Sequence, residues 1–106
     1  MIRAIPKPLT HEFNRAFLDY LRACGCWSCQ QTRQRQRYRT EAAHIESCRY
    51  GDVENAIPLC GIEHHREGRF SLHQMGREGF ERHWNVKLVE LGKRYWQDFN
   101  GPDQAA

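Results

Sequence analysis

The sequence has no hydrophobic run approaching the roughly 20 consecutive apolar residues of a membrane-spanning helix. Its first residues, Met-Ile-Arg-Ala-Ile-Pro-Lys-Pro, lack the apolar stretch of a signal peptide, so we expect a cytoplasmic protein. There is also no internal repeat, and no change in composition marks a boundary between domains. These absences exclude membrane spans and repeat arrays, and they predict one domain over residues 1–106.

The five cysteines are an odd number, which argues against a fully paired disulfide framework. A chain of 106 residues buries a limited core and gains from a staple. In a reducing compartment, the cysteines of such a chain more often bind metal than form disulfides. The net charge of +3 permits a nucleic-acid partner without requiring one.

Apolar spacing and turn residues divide the chain into an arm, a core and a C-terminal helix. We predict an extended arm over 1–9, an amphipathic helix over 11–23 and a loose tail over 100–106. Together these elements predict a small α+β domain. The elements expected between the first helix and the tail are a strand within 38–45 that ends at His44, a strand over 56–59 that enters a helix near Cys60, a helix from Gly76 to Trp84, and a final helix within 86–99.

Two pairs of residues have the spacing of ligands in a zinc site. Cys26 and Cys29 form a CxxC motif, which is the spacing of a zinc knuckle. Cys60 and His64 are four residues apart, which places them on one face of a helix. We therefore predict a closed, tetrahedral structural Zn²⁺ site made by these four residues. Cys24 is an alternative to Cys26, and ordinary buried cysteines beside a surface histidine are the alternative to any metal.

A second set of polar residues is interleaved with these ligands: His44 at a strand end, Asn55 before the second strand, and His65 directly after His64. Adjacent helical residues point about 100° apart, so His64 and His65 cannot easily serve one metal. One imidazole can close the zinc site while the other faces a second, open metal site. A single histidine after a strand is more often structural, but three polar groups in this order favour a functional site.

This order of residues resembles the zinc-containing branch of the HNH, or His-Me finger, endonucleases. The resemblance rests on the CxxC motif, a strand ending in AAHI, the pattern Asn-x-x-Pro-Leu-Cys and a histidine on the next helix, and it covers roughly residues 26–84. The residue pattern is most similar to that of short phage and prophage HNH proteins related to the recombination nuclease Ref. It implies a small ββα-metal core over 26–84, with flanking helices and a structural zinc.

By this resemblance, the chain is a metal-dependent endonuclease that hydrolyses phosphodiester bonds in nucleic acid, with DNA as the expected polymer. His44 would match the general base, Asn55 the asparagine that orients the hairpin loop, and His65 a ligand of one catalytic divalent ion. In the family, a backbone carbonyl holds the base histidine. The residue types suit this chemistry, because histidine titrates near neutral pH and a divalent ion stabilises phosphoryl charge. The expected catalytic ion is Mg²⁺, Mn²⁺, Co²⁺ or Ni²⁺. Further expected partners are phage recombination or packaging proteins in a host cytoplasm, with no membrane.

Two features depart from the family pattern. Ala43 stands where most members carry a metal-binding Asp or His, so we expect Ala43→Asp to restore a ligand. His73 follows a glycine-containing turn and is our candidate second ligand of the catalytic ion, with a surface histidine as the alternative. The second departure is the gap from Cys60 to His64, which is one residue longer than the common spacing, so the roles of His64 and His65 could be exchanged.

A polar segment with four arginines precedes the strand that ends at His44. If residues 33–39 are extended, side chains two apart share one face, and that face could bind phosphates without reading sequence. A solvated charged loop is the alternative. The arginines are Arg33, Arg35, Arg37 and Arg39.

A second interpretation of the whole chain is a non-catalytic, zinc-stapled module on a degenerate HNH scaffold, with a nucleic-acid-binding or structural role. Ala43 favours that interpretation, because the position cannot ligate a metal. The presence of both His44 and Asn55 favours the enzyme, since a structural protein has no physical need for the pair. A nicking assay with Mg²⁺, Mn²⁺ and EDTA discriminates between the two.

Overall fold

A two-stranded antiparallel sheet packs against helices in the computed structural model of this protein, which describes residues 12–101. The predicted α+β class is confirmed. The predicted arm over 1–9 and residues 102–106 of the predicted tail lie outside the described residues. Within 12–101, every helix is too short or too polar to cross a bilayer. In chain order the elements are α1 (Arg15–Cys24), α2 (Trp27–Thr32), β1 (Thr40–His44), a 3₁₀ turn (Cys48–Tyr50), β2 (Ala56–Cys60), a π-helical turn (Gly61–Arg66), α3 (Leu72–Trp84) and α4 (Leu88–Asn100).

The β1–β2 hairpin separates the two predicted sites. Its register pairs Thr40 with Cys60 at one end and His44 with Ala56 at the other. The four residue steps from Thr40 to His44 span about 13 Å, so the predicted zinc ligand Cys60 and His44 lie at opposite ends of the sheet. Both predicted strands are confirmed, and β1 ends at His44 as the sequence indicates.

The first helix begins later than expected, at Arg15 rather than at residue 11. Asn14 is its N-cap, and the side-chain oxygen of Asn14 accepts a hydrogen bond from the Phe17 N–H at 2.9 Å. The buried face of α1 carries Phe17 and Leu21. Phe17 meets Trp96 of α4 edge to face, with ring centroids 5.1 Å apart, so the two terminal helices pack together.

Two buried clusters form the core. The smaller one joins α1 to the start of β2, and the larger one surrounds the cysteines with aromatic and aliphatic residues from α3 and α4. Tyr95 packs against both clusters, so it links them. Burial of each large apolar side chain contributes about 1.5–3 kcal/mol, and this packing holds the CxxC segment against the hairpin. The largest fully buried side chains are Phe17, Phe80, Leu21, Ile57, Leu59, Leu88 and Leu91.

The helix boundaries around Gly76 differ from the prediction. α3 begins at Leu72, where the Ser71 hydroxyl accepts a hydrogen bond from the Gln74 N–H at 3.3 Å. Gly76 interrupts it with φ 76° and ψ 167°, a conformation that glycine adopts without the penalty of a Cβ. Gly76 therefore separates a helical turn over 72–75 from a helical segment over 77–84, and this second segment agrees with the predicted helix from Gly76 to Trp84. The helix expected near Cys60 is the π-helical turn, and the final helix begins at Leu88.

Candidate metal centre and histidine cleft

The CxxC segment is shaped by the start of α2. Cys26 is the N-cap of this helix, and its Sγ accepts a hydrogen bond from the Cys29 N–H at 3.4 Å. The Cys26 N–H in turn donates to the Gln36 side chain at 2.8 Å, which ties the segment to the polar stretch before β1. Cys60 ends β2, and His64 lies in the π-helical turn that follows. Four separate backbone positions therefore converge on one point.

The ligand atoms of Cys26, Cys29, Cys60 and His64 all lie within 4.8 Å of one another, and all four residues are buried. The Nδ1 of His64 is 3.5, 3.5 and 3.3 Å from the sulfurs of Cys26, Cys29 and Cys60, respectively. The sulfurs of Cys29 and Cys60 are 4.0 Å apart. Tetrahedral zinc with ordinary bond lengths places two sulfurs about 3.8 Å apart, and a sulfur and an imidazole nitrogen about 3.5 Å apart. The four residues can therefore bind a metal ion such as zinc.

The electrostatics of this cluster call for a cation. Burial opposes ionisation of Cys26, but hydrogen bonds from His64 and from backbone N–H groups outweigh it and lower the pKa of Cys26 to about 7. Burial raises the pKa of Cys29, and the neighbouring Cys26 raises it further. Burial and the same neighbour raise the pKa of Cys60 to about 11. Three thiolates in this space would repel one another, and a bound divalent ion would supply the opposing charge.

Aromatic rings pack against the cluster and help to bury it. Trp84 meets the His64 ring edge to face, with ring centroids 5.4 Å apart, and the ring centroids of Trp27 and Trp84 are 6.0 Å apart. The other two cysteines are outside the cluster. Cys24 is half-buried and Cys48 is exposed, so the alternative pairing through Cys24 is wrong. Among residues 12–101, this is the one group of three or more Cys, His or carboxylate side chains arranged around a common point.

A separate open cleft of about 580 Å³ lies along the face of β1 that carries Ala42 and His44. His44, His65 and His73 all line it, so the structure brings together three histidines that the sequence singled out. The rings of His65 and His73 are 4.6 Å apart between centroids. His64 faces the buried cluster and its neighbour His65 faces the cleft, as the spacing of adjacent helical residues predicts.

Glu41 orients the His65 ring. Its Oε1 is 2.7 Å from His65 Nδ1, and its Oε2 accepts a hydrogen bond from Arg66 at 3.2 Å. Burial lowers the pKa of His65, which the Glu41 hydrogen bond offsets only in part. A neutral imidazole whose Nδ1 is held by a carboxylate leaves Nε2 free, which is the usual arrangement of a metal-binding histidine. The sequence did not single out Glu41, because no spacing rule connects it to residue 65.

The resemblance implied that a backbone carbonyl holds His44, but in the structure a side chain holds it. Its Nε2 lies 2.8 Å from Oδ1 of Asp52, which is 6% exposed. The other carboxylate oxygen of Asp52 accepts a hydrogen bond from the Asn14 N–H at 2.8 Å. Asp52 was not a predicted site residue, since Gly51 and Asp52 have the composition of an ordinary turn.

Asn55 holds the loop between the strands closed. Its Oδ1 accepts a hydrogen bond from the Glu46 N–H at 2.8 Å, and its Nδ2 donates to the Gly51 carbonyl at 2.9 Å. The residue is buried beneath the loop. Its hydrogen bonds orient the segment that carries Asp52 toward His44, so its contribution to the site is structural support.

Ala43 does not face the cleft. It is fully buried and belongs to the larger core cluster, whereas Ala42 and His44 line the cleft. The expectation that an Asp at position 43 would meet an ion is therefore wrong for this chain. Arg77 of α3 also lines the cleft and forms an ion pair with Glu46.

The arginine-rich segment is exposed but is not a strand. Arg33 has φ 58° and is the C-cap of α2, and residues 34–38 are irregular. Two glutamines between the arginines turn inward: Gln34 donates to Glu63 at 3.0 Å and Gln36 accepts from Cys26. The alternation that the sequence suggested is present without strand pairing. The four arginines of this segment lie at positions 33, 35, 37 and 39.

No family model, curated protein or solved structure matches this chain.

Proposed function

We propose that this protein is a metal-dependent endonuclease of the HNH type that hydrolyses phosphodiester bonds in nucleic acid, with DNA as its substrate. The observation that carries the proposal is the cleft shared by His44, His65 and His73, set apart from the buried cluster that contains His64. In this proposal the buried cluster with His64 stabilises the fold, and the three cleft histidines are open to a substrate. Among enzymes, an open histidine cleft beside a closed Cys/His staple suits hydrolysis of a charged polymer.

In this proposal His44 is the general base. Its Nε2 is engaged by Asp52, so Nδ1 is the nitrogen that can take a proton from an attacking water. Arg77 lines the same cleft and carries a positive charge toward a bound phosphate, where Glu46 fixes its position. His65 and His73 would hold the divalent ion, whose chemistry is to stabilise negative charge on the phosphoryl oxygens and the leaving oxygen.

The buried Cys/His cluster has a structural role in this proposal. It joins α2, the end of β2 and the π-helical turn, and so it fixes the segment that presents His65 to the cleft. With four protein ligands and no exposed face, it has the closed form of a structural zinc site.

A plasmid-nicking assay with Mn²⁺, Mg²⁺ or EDTA tests the proposal. The wild-type protein is expected to nick DNA with a divalent ion and to stop in EDTA. His44→Ala should lose about 10²- to 10⁴-fold in rate with unchanged circular dichroism and zinc content. His83→Ala is the matched control, because His83 stacks on Phe70 outside the cleft. Equal rates for His44→Ala and the wild type would contradict the assignment of the base.

The arginine segment favours a second candidate, a zinc-stapled module that binds nucleic acid without cleaving it. Phosphate contacts alone give sequence-independent binding that weakens with salt. Under this alternative, DNA binding is retained in His44→Ala and no divalent ion produces nicking. The double variant Arg35→Gln/Arg37→Gln is expected to lower the salt dependence of binding under either function, by a slope of about 0.9 for each phosphate that the protein no longer neutralises. The resemblance also predicts phage recombination or packaging proteins as partners, and this stays a prediction.

A further inference from the structure

We propose that Asp52 is the positioning residue of His44, which holds the imidazole in the tautomer with the proton on Nε2 and leaves Nδ1 as the reactive base. This inference rests on the proposed nuclease function for its kinetic consequence, but the tautomer itself can be measured without any substrate. Asp52 comes from the loop between the strands, eight residues beyond His44. Asp52 therefore reaches His44 from outside β1.

The contacts of Asp52 determine the direction of the hydrogen bond to His44. An ionised carboxylate only accepts hydrogen bonds. Its Oδ2 accepts from the Asn14 N–H at 2.8 Å, and its Oδ1 is 2.8 Å from His44 Nε2. The proton between His44 and Asp52 must therefore belong to Nε2. In a neutral imidazole, Nδ1 is then an unprotonated acceptor.

The N-terminal segment before α1 anchors this carboxylate. The backbone N–H groups of Asp52 and Val53 both donate to the Glu12 carbonyl, at 2.6 and 3.3 Å. Asn14 caps α1 with its side chain and binds Asp52 with its backbone. The side chain of Asp52 is 9% exposed, whereas that of His44 is 22% exposed, so the more buried partner fixes the more accessible one. Second contacts of this kind hold a catalytic group in its productive geometry.

Hydrolysis at this site needs only water and the phosphodiester as reactants. A water O–H proton passes to His44 Nδ1 as the water oxygen bonds to phosphorus, and the bond from phosphorus to the 3′ oxygen breaks. The 3′ oxygen takes a proton from solvent, and the imidazolium later returns its proton to solvent. Asp52 stays ionised throughout, and its negative charge stabilises the imidazolium that forms.

The variant Asp52→Asn tests this role sharply. The Asn14 N–H still requires an acceptor, so the amide oxygen is expected to face Asn14 and the amide NH₂ to face His44. His44 Nε2 must then accept, and its proton moves to Nδ1, where it blocks the base. We expect kcat to fall by about 10²- to 10⁴-fold with little change in KM, because the change removes a base and not a substrate contact.

Two-bond ¹H–¹⁵N correlation spectra of ¹⁵N-histidine-labelled, zinc-loaded protein report the tautomer directly. The proton of His44 is expected on Nε2 in the wild type and on Nδ1 in Asp52→Asn. Asn14→Ala is the matched control, because it removes the helix cap while its backbone N–H still donates to Asp52. Asp52→Ala is the second variant, with a mixture of tautomers expected.

A proton on Nδ1 of wild-type His44, or the same tautomer in the wild type and in Asp52→Asn, overturns the inference. If none of the proteins cleaves DNA, the nuclease proposal fails while the tautomer measurement still decides the role of Asp52. If Asp52→Asn shifts the tautomer and kcat stays at the wild-type value, His44 is positioned by Asp52 but the kinetic part is refuted. A fall in kcat in Asn14→Ala equal to that in Asp52→Asn would assign the loss of rate to reduced helix stability and refute the kinetic part of the inference.

Discussion

Ala43 lies directly opposite Ile57 in the β1–β2 hairpin, and both side chains are fully buried in the core. An aspartate at position 43 would place an unpaired carboxylate among these apolar groups. We expect Ala43→Asp to reduce the free energy of unfolding by about 3 kcal/mol or more, because burying an unpaired charge costs several kcal/mol. Urea unfolding followed by circular dichroism measures this. Ala42→Asp is the matched variant, because Ala42 is half-buried against the smaller cluster and lines the cleft, so it should lose less stability than Ala43→Asp and need less divalent ion for nicking. A fully stable Ala43→Asp would contradict this assignment of faces.

The buried Cys/His cluster predicts one tightly bound zinc per chain. Cys29→Ser should lose the metal and with it much of the folded structure, because structural zinc contributes folding free energy directly. Elemental analysis and far-ultraviolet circular dichroism test both effects. Cys48→Ser is the control, since Cys48 is exposed and outside the cluster, and it should keep zinc and fold. A folded, metal-free wild-type protein would refute the site.

His65 and His73 predict a weakly held ion in the cleft, with imidazole ligands that favour Mn²⁺, Co²⁺ or Ni²⁺ over Mg²⁺. His73→Ala should raise the metal concentration needed for half-maximal nicking. Glu41→Gln should raise it about 10- to 100-fold as well, because the carboxylate that orients His65 is removed. Nicking rates against metal concentration provide the test, with His83→Ala as the control. Superimposable curves for His73→Ala and the wild type would exclude His73 as a ligand.

Gly92 of α4 lies against the loop that carries Asn55. A Cβ at this position would be 2.6 Å from the Glu54 carbonyl oxygen and 2.8 Å from Ile45 Cδ1. Gly92→Ala therefore forces α4 away from the loop, and we expect a loss of about 1–3 kcal/mol in stability. Thermal unfolding checks this, with Gly79→Ala as the control. The Cβ of Gly79→Ala would meet only Met75 at 3.4 Å, and alanine favours the helix, so this variant should be no less stable than the wild type. Equal losses in both variants would argue against close packing at Gly92.

The sequence alone identified the features that depend on local spacing. The CxxC motif and the pair Cys60 and His64 follow from ligand chemistry and helical periodicity, and the structure places all four around one point. The two strands follow from short apolar runs bounded by turn residues, and β1 ends at His44 as predicted. The different directions of His64 and His65 follow from the rotation between neighbouring helical residues. These inferences need only short-range geometry.

Tertiary structure decided what joins residues distant along the chain. The contact of Asp52 with His44 exists because the N-terminal segment binds the loop from outside, and Glu41 reaches His65 because the π-helical turn folds back over β1. Strand alternation places Ala43 and His44 on opposite faces of β1, but the elements that pack on the hairpin decide which face is the core and which faces the cleft. The start of α3 was missed because Ser71 caps a helix that Gly76 then kinks. Spacing in the sequence specifies which side chains share an element, whereas packing between elements decides which of them face the same site.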